Sequence, residues 1–211
     1  MSQVIEALAR GQHGLVTSAQ LLDAGCSRRE IDRAIERHTL RPVGLGVLRA
    51  GGAPDTWEAR VQAGCLAFGA VASHRTAAAL WDLGGMRRGF EPELSIHHGR
   101  SGRRAGYRVH WSSDLDLIEP VFLDGLPTTP VTRTIIDLGA VCSDPVVERA
   151  IDDALVRSLL TWEALVADYL QHRRRGRGGF GALRPILRRR LQAGHKSRCV
   201  RAPPKKQMPH P

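Results

Sequence analysis

Residues 27–50 read SRREIDRAIERHTLRPVGLGVLRA, and this stretch decides how the N-terminal part of the chain folds. Ser27 followed by Glu30 is a capping-box pattern, in which hydroxyl and carboxylate each satisfy a backbone N–H that a helix start leaves unpaired. The spacing predicts a helix over 28–38, with Ile31 and Ile35 on one face and Arg29, Arg33 and Arg37 on the other. Leu40 to Val43, a Gly44-Leu45-Gly46 turn and Val47 to Ala50 then read as a short β-hairpin. Upstream, SQVIEALAR over 2–10 places Val4, Ile5, Leu8 and Ala9 at helical spacing before Gly11 and Gly14. Thr17 or Ser18 caps a second short helix, AQLLDAG, which stops at Gly25. Three helices followed by a hairpin is the order of a winged helix-turn-helix, expected over residues 1–52.

The split of the third helix is what a DNA-recognition helix needs. One side packs on the other two helices while the other reaches phosphates and guanine edges. Arg28 falls at the positive helix N-terminus and Arg41 on the wing, so Arg28, Arg29, Arg33, Arg37 and Arg41 are the candidate DNA contacts. A second reading stands beside this one: Glu30, Asp32 and Glu36 lie at spacings that pair with the same arginines on an ordinary solvated helix. The hairpin and its glycines favour DNA.

Further along, WEARVQAGCL from Trp57 reads as a helix, and Ser73 caps another, HRTAAALWDL, that ends at Gly84-Gly85. Strands are expected at Glu93–His98 and Tyr107–Ser113, joined by the basic loop GRSGRRAG, and VFLDGLPTT reads as a further strand and turn. Pro130, at a first-turn position after a Thr129 cap, opens TPVTRTIIDLGAV, and helices over 145–157 and 162–172 follow. The fold class expected is α+β: the winged helix-turn-helix, then a mixed domain with a small sheet and helices over 53–172, then a basic, largely disordered tail over 173–211.

Three stretches, HGLVTSAQLLDAGCSRREIDRAI, ASHRTAAALWDL and DGLPTTPVTRTIIDLGAV, together resemble AbiEi-family antitoxin-like proteins over about positions 3 to 170. The resemblance implies an N-terminal winged helix that represses its own operon by binding DNA repeats, of the type IV toxin–antitoxin kind. It also implies a genetic partner, a nucleotidyltransferase-like toxin that is countered without a stable complex. The implied DNA contacts fall at Arg28, Arg29 and Arg33. Ser73, His74, Arg75 and Arg133 fall in the other two motifs, for which the resemblance supplies no role. Many relatives continue into a domain resembling very-short-patch-repair endonucleases. Such a nuclease needs clustered carboxylates for a hydrolytic metal, commonly with a lysine beside them. This chain has no lysine before Lys196 and no carboxylate after Asp168, so that domain is expected to be missing. The alternative function is accordingly the targeting half of a nuclease-related protein.

Charge is strongly segregated. Residues 171–211 hold 13 Lys or Arg and no Asp or Glu, leaving 18 basic against 21 acidic residues before them, so the net +10 belongs to the tail. Residues 1–50 carry 7 basic and 5 acidic groups, 75–110 carry 7 and 3, and 111–170 carry 3 and 11. Any folded DNA contact belongs to the first two, and the acidic helices over 144–170 suit a basic partner. The tail is read either as adding salt-sensitive, sequence-independent affinity for nucleic acid or as a frameshifted end without function, and a short helix, Gly181 to Leu191, is expected within it, interrupted by Pro185. No signal or membrane-spanning pattern is present, so the chain is expected in the cytoplasm. Cys26, Cys65, Cys142 and Cys199 form neither CxxC nor a Cys/His ligand spacing and read as packing residues or free thiols.

Other chemistry is considered and set aside. Gly176, Gly178 and Gly181 match GxGxxG but follow a helix and an arginine run instead of a strand, and read as a linker. His97 and His98 point to opposite faces of a strand, and His110 approaches one of them across the hairpin without a carboxylate or Cys at ligand spacing. Ser73 and His74, adjacent on a helix, diverge by about 100° and are expected not to form a nucleophile–base bond. Asp152 and Asp153 read as a solvated pair beside Arg149 and Arg157, and Arg100, Arg103, Arg104 and Arg108 as a basic hairpin tip. No cofactor, no metal and no catalysis are expected. Double-stranded DNA at operator or promoter repeats is the expected partner, with a homodimer on paired half-sites.

Overall fold

The computed structural model of the chain describes residues 1–97, 102–115, 118–172 and 179–199. The N-terminal unit follows the expected order with one addition. Helix α1 (Ser2–Arg10) is followed by strand β1 (Leu15–Thr17), helices α2 (Ser18–Asp23) and α3 (Arg28–Glu36), and the wing strands β2 (Leu40–Gly44) and β3 (Val47–Ala50). Both capping boxes form, Thr17 with Gln20 at α2 and Ser27 with Glu30 at α3. The three strands run β1-β3-β2, all antiparallel, with Val16 opposite Leu48. Ile5, Leu21, Ile31, Leu40 and Leu48 close a small apolar core between helices and sheet.

The second unit contains a six-stranded mixed sheet. Helix α4 (Trp57–Phe68) leads through β4 (Val71–Ala72) to α5 (His74–Leu80), β5 (Glu93–Ile96), β6 (Gly102–Arg104), β7 (Tyr107–Trp111), β8 (Val121–Leu123) and β9 (Leu126–Thr128). The strand order is β6-β7-β5-β4-β9-β8. Leu94, Ile96, Tyr107 and Val109 pack with Val61 and Cys65 of α4. The alternate positions Glu93, Ser95, Arg108 and His110 face the other way, as the two-residue period of a strand requires.

Here the expected hairpin between 93–98 and 107–113 is corrected. The strands β5 and β7 are parallel, and β7 takes β6 as its antiparallel hairpin partner. The connection is long enough to hold that extra strand, which returns the chain to run beside β5 in the same direction. His97 lies just past the end of β5, and His98 and Arg100 lie outside the described residues, as do the side chains of Arg103 and Arg104.

Helices α6 (Val131–Val141), α7 (Asp144–Val156), α8 (Trp162–His172) and α9 (Phe180–Cys199) complete the unit. Pro130 is the N-cap of α6 instead of its first residue, and the Thr129 hydroxyl bonds that of Thr134 at 2.8 Å instead of capping.

The largest departure concerns α9. A disordered tail beginning at 173 is not what residues 180–187 form: Phe180, Leu183, Ile186 and Leu187 are buried in one core with Ile135, Leu138, Val147, Ile151 and Leu165. Gly179 makes the approach possible, with φ +89 and a position where a Cβ would lie 2.1 Å from the Ile136 carbonyl oxygen. Gly181 sits on α9, while Gly176 and Gly178 of the GxGxxG match lie outside the described residues. Residues 173–178 and 200–211 of the expected tail also lie outside the described residues.

Charge explains the rest of this packing. Arg189 pairs with Glu148 at 2.7 Å and Asp144 at 3.6 Å, and Arg190 pairs with Asp152 at 2.7 Å. The acidic face of α7 therefore meets a basic partner within the same chain, and Asp153 pairs with Arg157 at 3.0 Å. No helix among the described residues is long and apolar enough to cross a membrane.

The two units share an apolar joint. Leu15 and Val47 of the N-terminal sheet pack with Ala59 of α4, covered by Ala63, Leu66 and Ala67. Beside it, the His13 ring nitrogen Nε2 lies 2.7 Å from the carbonyl oxygen of Asp124 in the β8–β9 turn.

Candidate nucleic-acid interface

Local capping determines the charge that α3 presents. The Ser27 backbone N–H and hydroxyl donate to Glu30 Oε2 at 2.8 and 2.7 Å. These bonds, the hydroxyl's first, hold the Glu30 carboxyl below the usual carboxylate range. That carboxylate is turned to the helix start and does not form an ion pair with the arginines of α3. Arg28, Arg29 and Arg33 are exposed on the helix, Arg37 is its exposed C-cap, and Arg41 is exposed on β2. Among the described residues none of these five is in an ion pair, and Asp32 and Glu36 form none either; Arg33 Nε donates to the Arg29 carbonyl at 3.2 Å. Of the two readings of this helix, the self-neutralised one lacks its pairs. Ile31 and Ala34 are buried on the opposite face, which fixes the direction in which the guanidinium groups point.

The wing extends this surface. Gly44, Leu45 and Gly46 all have positive φ, at +107, +55 and +75. The sheet register shifts between Pro42 and Gly44, so Val43 is an unpaired bulge residue. Val43 and Leu45 are both exposed at the tip.

A second cluster lies in the central unit and joins the three motif residues near position 74 to Arg133's surroundings. Glu93, 1% exposed, is its hub. The Arg75 backbone N–H and Nε donate to its carboxylate at 3.2 and 3.0 Å, and Arg75 Nη2 donates as well. Arg108 Nε stands 3.7 Å and His110 Nε2 3.9 Å from the same carboxylate. The rings of His74 and His110 stack at 3.6 Å between centroids. Nearby, Arg133 donates from Nε to Asp137 at 2.7 Å and from Nη2 to the Ser112 hydroxyl at 2.9 Å, and its Nη1 lies 3.4 Å from Asp114.

Two expectations from sequence change here. Ser73 Oγ and His74 Nδ1 do form a hydrogen bond, at 2.9 Å, because His74 has φ +50 and leaves the regular helical geometry on which the divergence argument depended. The Ser73 hydroxyl is fully buried and Glu93, the nearest carboxylate, is bound by Arg75, so the pair has neither access to a substrate nor a free acid behind it. His110 meets His74 and Glu93, so a carboxylate does stand beside two histidines, while His98 lies outside the described residues.

The donor atoms of His74, Glu93 and His110 all lie within 4.8 Å of one another, which invites a test for a metal ion. The test fails on geometry. Stacked ring planes only 18° apart hold their in-plane lone pairs in two separate layers, so an ion about 2.0–2.1 Å from each nitrogen does not lie in both planes. Glu93, moreover, already has a guanidinium on it. Burial pushes His74 well below the ordinary histidine range and His110 below it as well, so the stack is a neutral pair. Sequence spacing gave no signal for Glu93, because its partners come from α5 and β7.

Comparison with known proteins agrees with the N-terminal geometry. Residues 3–49, which run from α1 into β3, match the family described as "Transcriptional regulator, AbiEi antitoxin". The resemblance drawn from sequence is thus borne out over the winged-helix unit. No curated protein matches the chain. Among solved structures, the crystal structure of the RV2827C protein from Mycobacterium tuberculosis is similar at 20% identity, covering 72% of this chain and 70% of that one, with a TM-score of 0.37.

Proposed function

We propose that this chain, whose N-terminal unit carries an AbiEi-antitoxin regulator domain, is a cytoplasmic DNA-binding regulator that represses its own operon. In this reading α3 lies in the major groove of operator or promoter repeats, the wing reaches the neighbouring backbone, and no bond is made or broken. The observation that carries it is the row of exposed arginines, Arg28, Arg29, Arg33, Arg37 and Arg41, which form no ion pairs among the described residues while Glu30 is turned to the helix cap. Arg29 and Arg33, mid-surface on α3, suit bidentate contacts to guanine, and the other three suit phosphates. A homodimer on paired half-sites, and a toxin countered without a stable complex, belong to the same type IV antitoxin reading.

Titration of the chain against its upstream DNA and a scrambled duplex tests this. Arg29→Ala and Arg33→Ala should each weaken specific binding by about 1–3 kcal/mol and relax sequence preference. Arg37→Ala or Arg41→Ala should weaken both duplexes alike and lower the salt slope by about one. Unchanged affinity in all four variants would discard the interface.

A further inference from the structure

The wing tip has a composition that the fold itself does not call for. Leu45 opens a two-residue turn in which it and Gly46 both have left-handed backbone, a geometry that Asn-Gly or Gly-Gly adopts without strain. Eight non-glycine residues with positive φ occur among the described residues, and seven are His, Asp, Ala or Ser. Leu45 is the one large apolar side chain in that conformation, and it is 54% exposed. Val43, re-aimed by the bulge, is 39% exposed beside it. Neither belongs to the cores of the N-terminal sheet. Backbone strain combined with exposed hydrocarbon lowers stability, so the use of this leucine lies outside the chain.

The surrounding charge identifies what covers it. Arg41 is exposed on the same strand, and α3 with its unpaired arginines runs directly through residues 37–39 into β2. The occupant must be apolar where it meets the tip and anionic on either side. A second copy of this chain presenting the same face would bring arginines against arginines. The minor groove of DNA offers sugar and base edges between two rows of phosphates.

We infer that Val43 and Leu45 form a wedge that enters the minor groove next to the α3 site and opens one base step, kinking the duplex. Pyrimidine–purine steps such as TA or CA unstack most readily, so the wing position selects for them without a hydrogen bond to a base. This inference rests on the DNA-binding reading above, and its test separates the two.

A duplex enriched from a random pool by the full chain, labelled in turn with 2-aminopurine at each position beside the α3 contact, is titrated with wild type, Leu45→Asn and Arg33→Ala. Asparagine suits the turn, so the variant folds. Wild type should raise fluorescence at one step and bend the duplex. Leu45→Asn should bind roughly tenfold more weakly with no fluorescence rise, no bend and an unchanged salt slope, because no phosphate contact is lost. Arg33→Ala should bind weakly yet keep the fluorescence rise at saturation. Wild-type affinity and bending in Leu45→Asn, with Arg33→Ala impaired, overturns the wedge and leaves the regulator reading intact. Enrichment of no duplex overturns both. Loss of a free-protein dimer in Leu45→Asn by sedimentation makes the tip a protein contact and also overturns the wedge.

Discussion

Glu93 is a buried acid whose ionised state depends chiefly on Arg75. Burial pushes its carboxyl up, but the Arg75 bonds outweigh this and hold it below the usual range of about 4.5. Burial acts in the opposite direction on His74 and His110 and keeps both uncharged. The sign of the resulting pH dependence follows. An unfolded chain takes up protons at ordinary histidine values near 6.5 while the folded stack refuses them, so stability is full above that value and falls as pH drops below it. Protonation of Glu93 removes more below 4.5. Urea midpoints measured from pH 8 to pH 5 should therefore decline from about 6.5 downward, and a His74→Gln variant should flatten the decline; equal slopes in both chains would mean the stack is not the cause. Of this cluster the sequence reading identifies Ser73, His74, Arg75 and Arg133 as residues without a role but misses their hub. Glu93 meets Arg75 across 18 positions and His110 across 17, and pairing at that range leaves no local signature.

Helix α3 shows what local sequence does specify. Its capping box, buried isoleucine and terminal turn are all readable, since each depends on neighbours within four residues. Strands β1 and β6 are not, because three residues carry too little alternation to register. Parallel pairing of β5 with β7 is a tertiary choice. For α9 a helix over Gly181 to Leu191 is legible, but not its full length or the burial of Phe180, Leu183, Ile186 and Leu187, because a run of arginines reads as a solvated tail. Under the proposed function the capping box also bears on DNA binding. Ser27→Ala should cost about 1 kcal/mol of stability and free the Glu30 carboxylate to pair with Arg33, so DNA affinity should fall more than stability alone explains. Chemical denaturation and a binding titration on the same variant decide it, with Ser27→Asp restoring the cap but not the stability of the Glu30 contact; no change in either measurement would refute the link.

Across the whole molecule, opposite charges that are far apart in sequence are brought together. The basic C-terminal stretch, expected as a flexible extension, contributes α9 to the core and sets Arg189 and Arg190 against the acids of α7. Those exposed ion pairs are screened by solvent and contribute little to stability. The four buried apolar side chains of α9 contribute roughly 1.5–3 kcal/mol each by area, and so dominate. A chain ending at residue 199 should thus unfold at the urea concentration of the full chain, whereas one ending at 172 should be strongly destabilised or aggregate, at low and high salt alike. Equal midpoints for the two would show α9 to be dispensable.

The apolar joint at Leu15, Val47 and Ala59 bears on how the molecule could handle DNA. A reading head tethered by a flexible linker can swivel to find its groove, and its partner body exerts no torque on it. This one is bolted to its body by hydrocarbon on one side and by the His13–Asp124 contact on the other. Turning the body turns α3 with it, as a wrench turns a screw, so under the proposed function the shape of the central unit would set the angle at which the arginines meet a duplex and the distance at which a second molecule could sit beside the first.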